Sequence, residues 1–430
     1  MENIKNFYKN KKILVTGATG FKGAWLCSWL LKLKARVYST GYNPNQNKNF
    51  FYKLRLHKKT NLKIFDIRNL DKLDAFIKKI KPSIIFHLAA QPLILKSYED
   101  PYLTFTVNFL GSTNIMECSR KYNFIKSVIL VTTDKVYESS GKTIGFKETD
   151  LLGGIDPYSA SKSSTELMIR AYRESFFKNK KILGVSSVRA GNVIGGGDWS
   201  KNRLIPDSIR SSIKNQKIIL RNPSFNRPWQ FVLEPLKGYL ILAKKQFENP
   251  KKYSGAWNFG NKSKSVVTVS QIVEYIINFW GSGRLEKLSK NNVYEQQNLQ
   301  LNSSKAIKLL KWKPTYSIKQ SVKVTTQWYY DVLKEKKSPS VVTNQQIQDY
   351  MNENSWYDIY GVTPAYQVKY RQQKNQKLQN SEDEKLFQDL SKMKPMAPGF
   401  PLSVRPSPSA PKEQQPPSYE QQPPPYTVST

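Results

Sequence analysis

The stretch Thr16-Gly17-Ala18-Thr19-Gly20-Phe21-Lys22-Gly23 constrains this chain more than any other, because it joins an apolar β-type run directly to a helix pattern. Glycines at 17, 20 and 23 permit a tight turn, close approach of the backbone to a pyrophosphate, and close packing of helix on strand. The helix N-terminus then offers free N–H groups and the positive end of its dipole to phosphate. Glycine-rich turns are common in isolation. Set between strand and helix, this one predicts dinucleotide binding by Gly17, Thr19, Gly20, Phe21, Lys22 and Gly23.

The following 170 or so residues alternate short β-type runs with helix-length amphipathic segments, the pattern of βαβ units around a parallel sheet. Strands are expected at Lys12–Thr16, Ala35–Thr40, Leu62–Asp66, Ser83–Leu88, Ser127–Thr132 and Ile182–Val188. Phe21, Trp25, Trp29 and Leu33 recur every fourth residue, and Leu70, Leu73, Ile77 and Ile80 keep three-and-four spacing, so each segment has one apolar helix face. Asp156-Pro157 reads as an N-cap followed by proline at the first helical position, opening a helix from Pro157 to about Phe177. After Asn192 the alternation breaks at Gly195-Gly196-Gly197 and Arg227-Pro228. The expected fold is therefore α/β: a Rossmann-type doubly wound parallel sheet over residues 8–190, with parts of 220–265 returning to it. A smaller α/β substrate-binding lobe is expected over 191–350.

With 68 Lys+Arg against 32 Asp+Glu the formal charge is +36, which raises the question of nucleic acid or a membrane surface. The lysines are scattered, and no basic block is interleaved with aromatics, so no nucleic-acid partner is expected. The chain has two cysteines, Cys27 and Cys118, and two histidines, which predicts neither a disulfide framework nor a zinc cluster, and no other metal site. Ile13-Leu14-Val15 runs into glycines rather than a leader's apolar core, and no stretch approaches a membrane span. A cytoplasmic setting is the expectation.

Tyr158 and Lys162 stand four residues apart on one face of the helix that begins at Pro157. A nearby positive charge stabilises phenolate, so Lys162 and an oxidised nicotinamide are expected to pull the Tyr158 pKa towards working pH and make it a base. The fifth strand ends Thr132-Thr133-Asp134-Lys135, at the carboxyl edge where open α/β sheets bind ligands. Thr133 is placed to bond the hydroxyl being oxidised. Asp134 and Lys135 add an acid and an amine that a plain alcohol dehydrogenase does not need. No acid ends the second strand at Val37–Asn43 to hold an adenosine ribose, and no arginine stands there for a 2′-phosphate. NAD is favoured by default, with Asp66 as a candidate for the adenine pocket or else an N-cap for the next helix.

The glycine loop, His87-Leu88-Ala89-Ala90-Gln91-Pro92, the Asp134-Lys135 pair and the Tyr158–Lys162 motif resemble the extended short-chain dehydrogenase/reductase family. The longer strings, Gly20-Phe21-Lys22-Gly23, Leu152-Gly153-Gly154, Val188–Trp199 and Arg227-Pro228-Trp229-Gln230, look like its CDP-glucose 4,6-dehydratase branch, over roughly residues 8 to 350. The resemblance implies an NAD-dependent, redox-neutral loss of water from CDP-glucose, giving CDP-4-keto-6-deoxyglucose for deoxysugar and O-antigen biosynthesis. It implies catalytic roles for Thr133, Asp134, Lys135, Tyr158 and Lys162. Lys135 is either the base at C5 or, as an ammonium, the stabiliser of the enolate. It adds Asp66, Ile67, Leu88, Ala89 and Ala90 to the cofactor site, assigns Gln91, Asn192, Arg203 and Arg227 to the substrate, and suggests a homo-oligomer. Phe231, where relatives carry His, and Leu95, near where they carry Arg, are expected to alter the substrate pocket. Asn43, standing for Asp, is expected to weaken cofactor contacts. The alternatives are another nucleotide-sugar 4,6-dehydratase, a 4-epimerase, or a catalytically silent binding protein.

The resemblance ends near Met351. Residues 354–430 are rich in Gln, Pro and Ser, and a disordered tail is expected there. It carries Pro408-Ser409-Ala410-Pro411, Pro416-Pro417-Ser418-Tyr419 and Pro423-Pro424-Pro425-Tyr426. The last two resemble ligands of WW domains and the first a motif read by membrane-budding machinery, since proline-rich segments dock in extended form with little ordering cost.

Overall fold

Ile13-Leu14-Val15, Ile84-Ile85-Phe86 and Val128-Ile129-Leu130 are apolar on both faces, which suits strands covered by helices on both sides, and all nine residues are buried. The computed structural model describes residues 2–42, 44–138, 145–178, 183–220, 222–261, 267–287 and 300–353. Contacts divide the chain after Thr363, and the described residues lie in the first unit. The proline-rich motifs of the tail and Asn43 lie outside the described residues.

The six expected strands form as β1 (Lys12–Thr16), β2 (Arg36–Gly41), β3 (Asn61–Ile64), β4 (Ile84–His87), β5 (Ser127–Val131) and β6 (Gly184–Ala190), and β7 (Gly255–Phe259) joins them. Their order is β3-β2-β1-β4-β5-β6-β7, with every neighbouring pair parallel. This is the doubly wound Rossmann arrangement. The order reverses between β1 and β4, which opens a crevice at the carboxyl ends of those strands.

Because side chains alternate across a strand, the sheet feeds two cores. Ile13, Val15, Phe86 and Ile129 face one, with Trp25 and Trp29 of α1 (Phe21–Lys32). Leu14, Ile85, Val128 and Leu130 face the other, with Leu73 and Ile77 of α2 (Leu70–Ile80), Ile115 of α3 (Gly111–Lys121) and Ile169 of α4 (Pro157–Tyr172). Helix α4 opens as the sequence predicts: the Asp156 carboxylate accepts the Ser159 N–H at 2.9 Å, ahead of Pro157. Its far end differs, passing after Tyr172 into a wider π turn, Arg173–Phe177, for which the sequence carries no sign.

Beyond Ala190 the chain makes short pairings: Val193–Ile194 with Gln230–Phe231, Asn226–Arg227 with Val267–Thr268, and Lys217–Leu220 with Arg284–Lys287. Helix α5 (Leu204–Ile213) lies in this part, and α6 (Leu233–Glu248) is buried along most of its length. Helices α7 (Ile318–Leu333) and α8 (Pro339–Glu353) close the described chain, Tyr350 meeting Trp29 edge-on at 5.7 Å. Phe231 corrects an expectation. It is fully buried among Trp25, Tyr316 and Tyr350, in the core rather than the substrate pocket, because its strand pairing turns the ring inward.

Candidate active site

A cavity of about 1720 Å³ runs along the carboxyl edge of the sheet. Pockets of roughly 300–1,000 Å³ hold one drug-sized ligand, so this one has room for two. It is lined by Gly17, Thr19, Gly20, Phe21, Lys22, Gly23, Asp66, Ile67, Leu88, Ala89, Ala90 and Gln91. Thr133, Asp134, Lys135, Tyr158, Lys162, Asn192, Arg203 and Arg227 line it as well, so every residue assigned from the sequence to catalysis, cofactor or substrate binding borders one space.

The cofactor end is built for close approach. Gly17 has a positive φ of 67°, and a Cβ there would stand 2.5 Å from the Ala89 nitrogen. A Cβ on Gly23 would collide with the Gly17 carbonyl, so α1 packs on the loop only as glycine allows. Helix α1 starts at Gly20 with no side-chain cap and no acid in its first turn, which leaves its N–H groups and dipole to an anion. Such a cradle fits the pyrophosphate of a dinucleotide. Asp66 borders the same cavity and is not a helix cap: Asn69 accepts the Lys72 N–H at the start of α2. The Asp66 carboxylate instead takes a fork from Arg68, as close as 2.6 Å, which holds it below the ordinary carboxylate range. His87 is buried between the hydroxyls of Thr16, 2.7 Å, and Ser112, 3.0 Å. Burial, and then the Lys162 charge, bring it down to about 3, so it stays neutral.

At the catalytic end β5 gives way to a tight turn, Asp134–Val136, capped by Thr133. The Thr133 hydroxyl donates to Asp134 Oδ1 at 3.0 Å, while Oδ2 is buried with no hydrogen-bond partner among the described residues. Burial raises the Asp134 carboxyl above its usual range, although Lys135, the Thr133 bond and Arg227 oppose it. A carboxyl poised this way suits proton donation. Burial pushes the Tyr158 phenol up to about 12, eased by a bond with Thr133, while the Lys162 ammonium donates to the Val131 carbonyl at 3.2 Å. Burial and the like charge of Lys22 bring Lys162 itself down to about 8. Lys22 falls to about 8 as well, through burial and the charge of Arg203.

On the far wall, Arg203 reaches Asp198 at 2.9 Å and Arg227 lies over the Phe225 ring at 5.3 Å. The Asn192 carbonyl accepts the Gln230 N–H at 2.9 Å, which leaves its side chain at the cavity. Gln91 is differently engaged: its amide bonds Leu93 and Thr104 at 2.7–3.0 Å and shapes its own loop. Sequence reasoning missed Asn108, in the π turn Thr106–Leu110, whose amide donates to Ser161 at 2.9 Å and whose Oδ1 accepts the Gln91 N–H. It also missed Glu166, although that residue lies one turn beyond Lys162 on the same face. Among the described residues no cluster of His, Cys, Asp and Glu is arranged for a metal, and no helix is long and apolar enough to cross a membrane.

Known proteins bear on this arrangement. Residues 14–325 match the model of a family described as GDP-mannose 4,6 dehydratase. The chain is 39% identical over 353 residues to a CDP-glucose 4,6-dehydratase of Salmonella typhimurium, covering 81% of this chain and 98% of that protein. It is 28% identical over 320 residues to a putative UDP-glucose 4-epimerase of Methanocaldococcus jannaschii, covering 74% and 97%. Among solved structures, dTDP-glucose 4,6-dehydratase from Bacillus anthracis in complex with NAD superposes with a TM-score of 0.63 at 24% identity, over 75% of this chain and 98% of that one. At that identity the likeness bears on the fold alone.

Proposed function

The chain belongs to the GDP-mannose 4,6 dehydratase family, and from that premise we propose that it is an NAD-dependent nucleotide-sugar 4,6-dehydratase acting on CDP-glucose. The observation that carries the reading is that the turn Thr133-Asp134-Lys135 lines one cavity together with Tyr158 and Lys162, since a simple epimerisation has no use for the extra acid and amine.

NAD, held by the glycine loop, Asp66, Ile67 and Leu88–Ala90, supplies the redox chemistry, taking hydride from the sugar C4 and returning it at C6. Tyr158 removes the proton from the C4 hydroxyl, with Thr133 bonded to that oxygen and the Lys162 charge beside it. The 4-ketone makes the C5 proton acidic. Lys135 removes that proton or stabilises the enolate, and Asp134 protonates the departing C6 hydroxyl, so that water leaves; as hydride comes back at C6 a proton returns to C5, and the net change is the loss of water. Arg203 and Arg227 meet the diphosphate, for which a guanidinium fork suits, and Asn192 and Gln91 border the sugar. Residues 8–190 then serve mainly the cofactor and 191–350 mainly the nucleotide sugar.

Incubation of the purified chain with CDP-glucose and NAD⁺, followed by the alkaline absorbance of the 4-keto product, tests the reading. dTDP- and UDP-glucose run alongside. Turnover confined to the CDP sugar is expected; turnover of neither would overturn the proposal. Such a product feeds deoxysugar and surface-polysaccharide synthesis in the cytoplasm. Exposed Tyr102, Phe105 and Phe109, with Leu167 exposed on the neighbouring helix α4, support assembly of two copies, which sedimentation measures. Residues 405–430 recruit WW-domain or PSAP-reading partners; a pull-down with and without them checks this.

A further inference from the structure

Beneath the site lies a buried ion pair that the chemistry above does not use. Glu166 and Arg189, each with a side chain 3% exposed, meet through two parallel bonds of 2.8 Å. Each partner reaches further. The Glu166 carboxylate accepts the Thr132 hydroxyl at 2.5 Å and the Ser187 hydroxyl at 2.6 Å. The outer arm of Arg189 donates to the Tyr137 hydroxyl at 2.7 Å, and that hydroxyl donates in turn to Asn258 of β7, also at 2.7 Å. Thr132 is the residue before the segment Thr133–Val136, and Tyr137 is the residue after it.

We propose that the Glu166–Arg189 pair is a clamp that positions Asp134 and Lys135 for elimination, by gripping Thr132 and Tyr137 at the two ends of the segment that carries them. The inference rests on the dehydratase reading. Three features of the geometry favour a positioning role over simple filling of space. A buried pair whose carboxylate and guanidinium are both fully bonded has a defined orientation, which an apolar pair of equal volume would lack. Helix α4 is bolted to the end of β5 at two points one turn apart, Lys162 to the Val131 carbonyl and Glu166 to the Thr132 hydroxyl. That places Tyr158 and Lys162 on a rigid element, whereas Asp134 and Lys135 stand on a three-residue turn whose downstream end is fixed to this network through Tyr137. The Tyr137 ring is stacked on Phe146, 4.8 Å between centroids, so the side chain is held in place whether or not its hydroxyl is present.

The Tyr137 grip therefore bears on elimination more than on C4 oxidation, whereas the Thr132 grip adjoins Thr133 and α4 and bears on both. Tyr137→Phe and Thr132→Val each remove one grip and keep the side chain's shape. In single turnover with CDP-glucose and NAD⁺, either variant should slow 4-keto-6-deoxy product by about tenfold or more, the scale set by small misplacements of reacting groups. In Tyr137→Phe reduced nicotinamide should form at close to the parent rate and accumulate. Tyr350→Phe, which removes a buried hydroxyl far from the turn, is the control and should leave both steps as they are. Equal slowing of both steps in Tyr137→Phe, or unchanged product formation in either variant, overturns the clamp. A parent chain that turns over no nucleotide sugar counts against the dehydratase reading instead.

Discussion

Gly191 leaves the space in which Asp134 keeps one carboxylate oxygen unbonded. A Cβ at 191 would lie 3.4 Å from Asp134 Oδ2 and 2.9 Å from the Pro228 ring. An oxygen buried without a partner costs stability, so its persistence points to a role that needs it unoccupied until a ligand arrives. Gly191→Ala would cover that oxygen, and the Pro228 ring and carbonyl, 2.9 and 3.0 Å from the new Cβ, would have to give way. The variant should lose some stability to that crowding, still bind NAD⁺, and lose about tenfold in product formation per folded molecule, read as turnover against cofactor affinity.

Burial raises Asp134, and the acid of an elimination must be protonated when the hydroxyl leaves. Asp134→Asn keeps the bond from Thr133 but has no proton to give. It and Lys135→Met should slow product formation by about 10²–10⁴-fold, the usual worth of a positioned acid or base, with C4 oxidation much less affected. Tyr158→Phe should abolish both. Rapid-mixing absorbance of reduced nicotinamide beside product assay separates the cases, and equal loss at both steps in the Asp134 variant would refute the division of roles.

Lys162 gives a stability test that needs no substrate. Its ammonium falls from 10.5 to about 8 on burial, whereas the unfolded chain keeps the higher value. Between about 8 and 10.5 the unfolded state holds a proton that the folded state has released, so this group's contribution to stability rises with pH across that window. Below it the folded protein carries the cost of a buried charge, on the order of 3 kcal/mol for a shift of that size. Lys162→Met should therefore melt higher than the parent near neutral pH, with the gap closing towards pH 10.5. A variant that melts lower at both ends would show that the amine is not under strain.

Asp198 holds Arg203 from one side, and its other oxygen accepts the Ser200 N–H at 3.0 Å. The Tyr329 hydroxyl pins its backbone carbonyl at 2.5 Å, so the carboxylate is a fixed support for a half-exposed guanidinium. Asp198→Asn keeps the shape and loses the charge. Freed to sample other rotamers, Arg203 should bind the diphosphate less well, raising KM by about three- to tenfold with kcat little changed, as a loss of uniform binding does. A fall in kcat alone would place Asp198 in the chemistry instead.

The cofactor half of this molecule was legible because its signals are local. Strand, glycine loop and helix follow one another within about twenty residues, and Tyr158 and Lys162 share a helix face by spacing alone. The sheet's carboxyl edge then brings residues from several strands together without further information. Glu166 and Arg189 are 23 positions apart, and what unites them is the neighbouring placement of α4 and β6, which no periodicity records. The same holds for Val193–Ile194 against Gln230–Phe231, a two-residue pairing too short to announce itself.

Glu234 shows what such long-range bonds contribute. Fully buried at the start of α6, its carboxylate accepts the backbone N–H groups of Thr315 and Tyr316 at 2.8–3.1 Å and the Tyr350 hydroxyl at 2.8 Å. Lys237 beside it donates to the Lys313 carbonyl and the Thr315 hydroxyl, each at 2.8 Å. One acid thus latches the segment before α7 and the end of α8 to α6, and burial already lifts it above the usual range for a glutamate. Tyr350→Phe removes a donor from a buried carboxylate and keeps the ring against Trp29 and Tyr316. The loss should cost about 1–3 kcal/mol, the penalty for an undersatisfied buried group. It should appear as a lower urea midpoint with unchanged turnover per folded molecule, because none of the latch residues lines the cavity. An unaltered midpoint would mean that the backbone N–H groups alone satisfy Glu234.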